Sequence, residues 1–296
     1  MAKTPLFQGS CTAIVTPYSE QGIDYERLKK NLDYQYESGT TAIVVCGTTG
    51  EAATQSADEH NELVRFTVHA VGGRMKVIAG VGSNNTQTAL RFAENAKAAG
   101  ADGILMVTPF YNKTSQKGLI EHFTAVADRV EIPMILYNVP SRTGIGIAAE
   151  TYHTLSRHPN INGIKEASGD FALIYKTRSL CGDELTLWSG NDDNTVPMMA
   201  MGAKGVISVA SNIVPAVVAK LCALCLEGSF QEAMALFARY NALFGALFVE
   251  TNPIPVKAAM KLLGTDSGIL RLPLTEIGED HLQKLKTVMQ DVGLKV

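Results

Sequence analysis

The chain has 296 residues, 46% hydrophobic and 19% charged, and its 26 basic and 29 acidic side chains leave a formal net charge of −3. That is ample apolar material for a large core, and it excludes the disordered and fibrous classes. Charges of both signs are interspersed without a Lys/Arg run, so neither nucleic acid nor an anionic membrane is an expected partner; a small anionic substrate would have to be met by local donors.

Met1–Ser10 lacks the basic-then-apolar order of a signal peptide. No apolar stretch reaches the roughly 18 residues that span a bilayer. Five cysteines, odd in number and scattered, fit reduced thiols in a cytoplasm. From residue 11 onward one unit repeats: a short β-branched strand, a loop and an amphipathic helix. Strands are expected at Cys11–Thr16, Ala42–Cys46, Val77–Val81, Gly103–Val107, Met134–Tyr137, Ile161–Lys165, Leu185–Ser189 and Gly205–Val209. Helices are expected at Tyr25–Ser38, Asp58–Val71, Thr86–Ala99, Gly118–Asp128, Ala148–Arg157 and Val217–Leu226.

Several of the strands are continuous apolar runs, which suits parallel strands covered on both faces. Eight such units in about 225 residues point to a (β/α)8 TIM barrel, with a doubly wound sheet as the alternative. After Leu226 the strand signal ends, and Gly228–Glu250, Pro255–Leu263 and Asp280–Val292 read as helices. The expected organisation is a barrel over residues 1–226 carrying the site, with a C-terminal helical extension over 227–296 as an appendage of one domain.

A barrel of this kind places its reactive groups at the C-terminal ends of the strands. Lys165 is the most informative residue there, because it ends an apolar strand on the same side as Gly163. Partial desolvation in a barrel mouth leaves a usable fraction of neutral amine, which attacks a ketone to give an iminium, an electron sink. The alternative is a structural ion pair with Glu166 or Asp192. Tyr137, Thr48 and Tyr111 supply hydroxyls at the same face, suited to a proton relay, although Tyr137 taken alone reads better as an ordinary buried aromatic. Thr48-Thr49-Gly50 offers consecutive backbone N–H groups as a carboxylate cradle, or is a plain connecting turn. Arg142 is a planar bidentate donor for a second carboxylate, or a surface ion pair. Glu51 and Asp192 receive no role.

Two motifs are set aside. Gly144-Ile145-Gly146-Ile147-Ala148-Ala149 matches a relaxed dinucleotide fingerprint, but residues 139–143 separate it from the strand. Cys222-x-x-Cys225 lies in an apolar helical stretch without a second ligand pair, and the six histidines are dispersed, so neither a metal nor a cofactor is expected.

Taken together these segments resemble the dihydrodipicolinate synthase family, within the pyruvate-dependent lyase and aldolase superfamily that includes N-acetylneuraminate lyase. The resemblance runs from Gly9–Pro17 through Gly47-Thr48-Thr49-Gly50-Glu51 and the Tyr137-to-Lys165 spacing to Asn252–Lys257 and Leu270–Pro273. Residues 137–144 are the more specific part, since the sialic-acid lyases lack Arg142. The resemblance implies that Lys165 forms a Schiff base with pyruvate and that Tyr137, Thr48 and Tyr111 form the relay, with Tyr111 entering from an adjoining protomer of a homotetramer. It further implies that Thr49, Ile207 and the Gly190 backbone adjoin pyruvate and that Arg142 grips L-aspartate 4-semialdehyde. Lysine-inhibited relatives hold the effector with a histidine, a glutamate and a tyrosine; the matching positions here are Ala57, Thr88 and Phe110, while His60 and Asn84 remain. Weak or absent lysine inhibition is therefore expected. The competing readings are a lyase for longer 2-keto-3-deoxy sugar acids, which Arg142 disfavours, and a non-catalytic metabolite-binding barrel.

Overall fold

The computed structural model describes residues 2–296. Eight parallel strands close a barrel: β1 (Gly9–Ala13), β2 (Ala42–Val45), β3 (Lys76–Gly80), β4 (Gly103–Val107), β5 (Met134–Asn138), β6 (Ile161–Glu166), β7 (Thr186–Ser189) and β8 (Gly205–Ser208). Each pairs with its neighbour in the chain, and β1 completes the circle against β8. The expected TIM barrel is therefore closed, and the doubly wound alternative falls. The first strand ends three residues before its expected end, for a physical reason. Past Ile14, whose N–H still bonds the Val44 carbonyl, the chain leaves the ladder: Val15 N–H donates to Asn212 Oδ1 at 3.1 Å, and the Thr16 hydroxyl donates to the Gly50 carbonyl at 2.7 Å. The strand end thus braces two loops at the barrel mouth.

Strand side chains alternate between two apolar layers. Cys11, Val44, Ile78, Leu105, Ile135 and Ile207 fill the barrel interior. Ile43, Val77, Ile104, Leu136, Ile164 and Val206 face outward into the larger core shared with the helices. Both faces are covered, which is why the strands read as unbroken apolar runs. The bottom of the barrel is plugged from the N-terminal segment. Trp188 stacks on Phe7 with ring centroids 4.8 Å apart and donates its Nε1–H to the Phe7 carbonyl at 3.3 Å. Gly163 makes room for that indole, since a Cβ there would lie 2.5 Å from the ring.

The surrounding helices are α1 (Tyr25–Glu37), α2 (Ala57–Val71), α3 (Thr86–Ala98), α4 (Gln116–Val130), α5 (Ala149–Ser156), α6 (Phe171–Cys181), α7 (Thr195–Ala200) and α8 (Pro215–Leu226). Their starts obey local chemistry: Ser56 and Glu59 form a reciprocal capping box on α2, and the Asn85 side chain accepts from the Gln87 and Thr88 amides of α3. The sequence reading passed over α6, whose exposed Phe171, Tyr175 and Leu180 blur its apolar face, and α7, six residues interrupted by Pro197. It also passed over the two-residue hairpin strands Tyr18–Ser19 and Gly22–Ile23. Beyond the barrel come α9 (Phe230–Ala246), α10 (Ile254–Leu262) and α11 (Glu279–Asp291). α9 packs on α8, while α10 returns to the barrel mouth. Among the described residues no helix is long and apolar enough to cross a membrane.

Candidate active site

Lys165 owes its direction to an irregularity in the sheet. The pairing of β5 with β6 shifts register between Met134 and Ile135, so Ile161 and Ile164 both face the outer core while Gly163 and Lys165 face inward. The extra residue, Asn162, is held by the N-terminal segment, accepting from Leu6 N–H at 3.1 Å and donating to the Thr4 carbonyl at 2.9 Å. Lys165 is 6% exposed, and its Nζ stands 4.3 Å from the centroid of the Tyr137 ring, its partner across the β5–β6 ladder. Among the described residues its amine makes neither an ion pair nor a hydrogen bond.

Both acids that could have paired with it are engaged elsewhere. Glu166 points outward and accepts from Asn138 Nδ2 at 3.0 Å, the Tyr152 hydroxyl at 2.9 Å and Ser168 N–H at 2.8 Å. Asp192 accepts from the Ser208 hydroxyl at 2.5 Å and from the Val209 and Ala210 amides. Burial pushes the Asp192 carboxyl above the ordinary carboxylate range, and those donors oppose it. The ion-pair alternative for Lys165 is thus not what the side chains adopt.

The amine opens on a cavity of ≈ 160 Å3 whose wall includes Thr48, Thr49, Tyr137, Arg142, Gly190 and Lys165. No carboxylate lines it, whereas two cationic side chains do, so the cavity selects anions. Gly190 is needed beside the lysine stem: a Cβ there would sit 2.7 Å from Ala167 Cβ and 3.1 Å from Lys165 Cγ. The Thr48–Thr49 loop is a tight turn in which Gly50 N–H returns to the Gly47 carbonyl and Glu51 N–H to the Thr48 carbonyl, both at 3.1 Å. Cys46 and Glu51 bracket it with left-handed backbone, φ 55° and 58°. The Thr48 and Thr49 amides are left without an acceptor among the described residues, a pair of adjacent donors. Arg142 lies in the single helical turn Pro140–Thr143 that follows β5, and its exposed guanidinium has no acid partner among the described residues.

Six of the eight singled-out residues therefore share one cavity wall. Ile207 does not: it is fully buried in the barrel interior opposite Cys11, and Val209, two residues on, occupies the wall. Tyr111 is 91% exposed on a left-handed turn after β4, φ 69°, outside the cavity. Within one chain no hydrogen bond joins the Thr48, Tyr111 and Tyr137 hydroxyls. Gly144 begins after the Pro140–Thr143 turn rather than at a strand end, and Cys222 and Cys225 are buried in α8.

Sequence reasoning missed three contributors. Trp188 stands in register with Lys165 on the neighbouring strand and fills the barrel interior, Asn252 lines the cavity from the C-terminal extension, and Lys257 of α10 holds the loop from behind. The single tryptophan, two strand positions from the Gly190 turn, was an available signal for the first. Nothing local marks the other two, which arrive from more than 200 residues away.

The chain is similar to known proteins over nearly its whole length. The model of the dihydrodipicolinate synthetase family matches residues 6–292. A 4-hydroxy-tetrahydrodipicolinate synthase from Thermoanaerobacter sp. is 48% identical over 291 residues, covering 98% of each chain. The crystal structure of dihydrodipicolinate synthase from Aquifex aeolicus superimposes with a TM-score of 0.96 at 45% identity, covering 98% of this chain and 99% of its own. The chloride-inhibited enzyme from Acinetobacter baumannii, solved in complex with pyruvate, gives 0.94 at 41% identity, covering 97% and 99%.

Proposed function

Since the chain belongs to the dihydrodipicolinate synthetase family, we propose that Lys165 carries its chemistry as a Schiff base with pyruvate. The protein is a lyase that condenses pyruvate with L-aspartate 4-semialdehyde to 4-hydroxy-tetrahydrodipicolinate, in diaminopimelate and lysine biosynthesis. The observation that carries the mechanism is the buried, unpaired Lys165 amine at a cavity lined by Arg142 and by the free Thr48 and Thr49 amides.

The amine adds to C2 of pyruvate and water leaves, giving the iminium, while the Thr48–Thr49 donors hold the pyruvate carboxylate. Loss of a C3 proton through the Tyr137 phenol gives the enamine. Its C3 attacks the aldehyde carbon of the second substrate, whose carboxylate pairs with Arg142, and the new alkoxide takes a proton from the relay. The substrate amine then attacks C2, and Lys165 departs as the six-membered ring closes. A partner subunit supports the rest of the relay: Tyr111, idle in the single chain, is offered to a neighbouring cavity in a homotetramer built as a dimer of dimers. The scattered, buried free cysteines support a cytoplasmic setting.

Borohydride reduction in the presence of pyruvate, followed by intact mass and peptide mapping, tests the reading. The expected adduct sits on Lys165 and is absent from Lys165→Ala. An adduct on another lysine, or none, would overturn it.

A further inference from the structure

Thr49 sits in the cavity wall with a hydroxyl whose hydrogen-bond direction is set from outside the barrel. Asn252, in the segment between α9 and α10, donates its Nδ2–H to Thr49 Oγ1 at 2.9 Å, and both side chains are buried. An amide nitrogen only donates, so this contact occupies an acceptor site on Oγ1 and leaves the hydroxyl proton for another partner. Among the described residues no acceptor takes that proton. A hydroxyl in this state is a committed donor at the edge of an anion cavity. The other end of the carboxamide is consistent with a role beyond filling space: Asn252 Oδ1 is buried without a partner, a cost that an apolar side chain of similar volume would not carry.

We propose that Asn252 is a positioning residue that fixes the Thr49 hydroxyl as a donor to the carboxylate of the bound keto acid. The proposal rests on the pyruvate reading above and adds to the Thr48 and Thr49 amides a third donor whose orientation is imposed by the C-terminal extension. The arm that carries Asn252 is itself secured. Ile254 N–H bonds the Thr251 carbonyl at 2.9 Å, and four residues on from Pro253 the Lys257 ammonium is bound to Glu51 of the same loop. The extension therefore grips the Gly47–Glu51 turn at two points, one on the hydroxyl and one behind it.

The test compares Asn252→Leu, Asn252→Asp, Thr49→Val and the Thr49→Val/Asn252→Leu double variant by steady-state kinetics and by pyruvate-dependent borohydride trapping. Asn252→Leu frees the hydroxyl to rotate, and the pyruvate KM is expected to rise about 3- to 10-fold with kcat within about twofold. Asn252→Asp is nearly isosteric but accepts instead of donating. It draws the hydroxyl proton away from the substrate and adds a negative charge, so a rise of about 100-fold or more is expected. Thr49→Val is expected to match Asn252→Leu, and the double variant to be no worse than Thr49→Val. The KM for the semialdehyde is expected to stay within about twofold of wild type in the Asn252 variants.

A packing role alone gives the opposite order, with Asp tolerated better than Leu, and that order overturns the proposal. So do additive effects of the two single changes, or a fall in kcat at constant pyruvate KM. Where Asn252→Asp does not fold, the Leu and Val cycle decides. If wild type forms no adduct on Lys165 the pyruvate reading itself fails; if it does and the Asn252 series is flat, only this inference falls.

Discussion

Lys257 Nζ lies 2.8 Å from Glu51 Oε1, and neither side chain has any exposed surface. The ammonium also donates to the carbonyls of Thr16 at 3.0 Å and Ile269 at 2.5 Å and faces the Tyr18 ring at 4.6 Å, while Glu51 Oε2 accepts from Arg271 N–H. The pair thereby ties α10, the end of the first strand and the Thr48–Thr49 loop into one buried polar knot. Removing one partner strands the other charge in the interior. Lys257→Met is expected to destabilise the fold by about 3–5 kcal/mol, and Lys257→Met combined with Glu51→Leu to recover part of that loss. Urea unfolding followed by circular dichroism reads both; a loss below about 1 kcal/mol for the single change would mean water relieves the stranded carboxylate.

Tyr137 stands in register with Lys165 and presents its ring to the amine. A phenylalanine keeps that packing and removes only the phenol. Tyr137→Phe is expected to form the borohydride adduct but to exchange the methyl protons of pyruvate with deuterated water about 100-fold more slowly. Full-rate exchange would remove Tyr137 from the relay.

How far the sequence revealed this molecule depends on the distance over which each signal acts. The strands were legible because each carries its own apolar run, and helix starts because capping is local chemistry, as at Thr86, where α3 begins as expected behind Asn85. Lys165 stood out because a lysine ending an apolar strand is costly unless used. The inward turn of that lysine, however, depends on the register shift opposite Met134, which no local pattern announces. Asn252 and Lys257 belong to a segment that carried the resemblance, but their roles were not legible for the same reason: their meaning lies in Thr49 and Glu51, across the whole barrel. Ile207 is a different case. The resemblance set it beside pyruvate, whereas its side chain lies deeper in the barrel interior and Val209, two residues on, is the one that reaches the wall.

Arg142 is the cation at the cavity mouth without an acid of its own. Arg142→Ala is expected to raise the semialdehyde KM roughly 10- to 100-fold while leaving pyruvate trapping at Lys165 intact, because a charge-assisted bidentate pair contributes only to the second substrate. Arg142→Lys is expected to recover little, since an ammonium cannot reproduce the planar fork. Initial rates at varied semialdehyde, with trapping measured alongside, separate the two steps. Equal loss of both would place Arg142 in the pyruvate site instead.

Lysine is expected to inhibit weakly or not at all. Thr88 stands in the first turn of α3 with its amide capped by Asn85, and it carries no carboxylate to meet an effector ammonium. His60 does not replace it: its Nε2 bonds the Gly80 carbonyl at 2.7 Å, its ring stacks on Phe92, and burial pushes its pKa down, which keeps the ring neutral. Rates at saturating substrates are expected to be unchanged at sub-millimolar lysine. Inhibition in that range would call for a binding mode built without the glutamate.

Acid is expected to weaken the fold in two separate steps. His122 bonds the Thr86 hydroxyl through Nδ1 at 2.8 Å, its Nε2 is buried without a partner, and burial lowers its pKa from 6.5 to about 4. The unfolded chain therefore binds a proton near pH 6.5 that the folded chain refuses until about 4, and stability falls with pH across that window. His60, lowered in the same direction, adds to this limb. Glu59 is held at about 2, chiefly by its hydrogen bonds from Arg271. That contribution is fully present above about 4.5, the ordinary glutamate value, and is lost as pH falls through 4.5 toward 2. His122→Gln is expected to flatten the upper limb in part and leave the lower one, and Arg271→Met to do the reverse. Urea midpoints measured from pH 7 to pH 3 distinguish the limbs, and an unchanged slope between 6.5 and 4 in His122→Gln would show that His122 is not a source of the upper one.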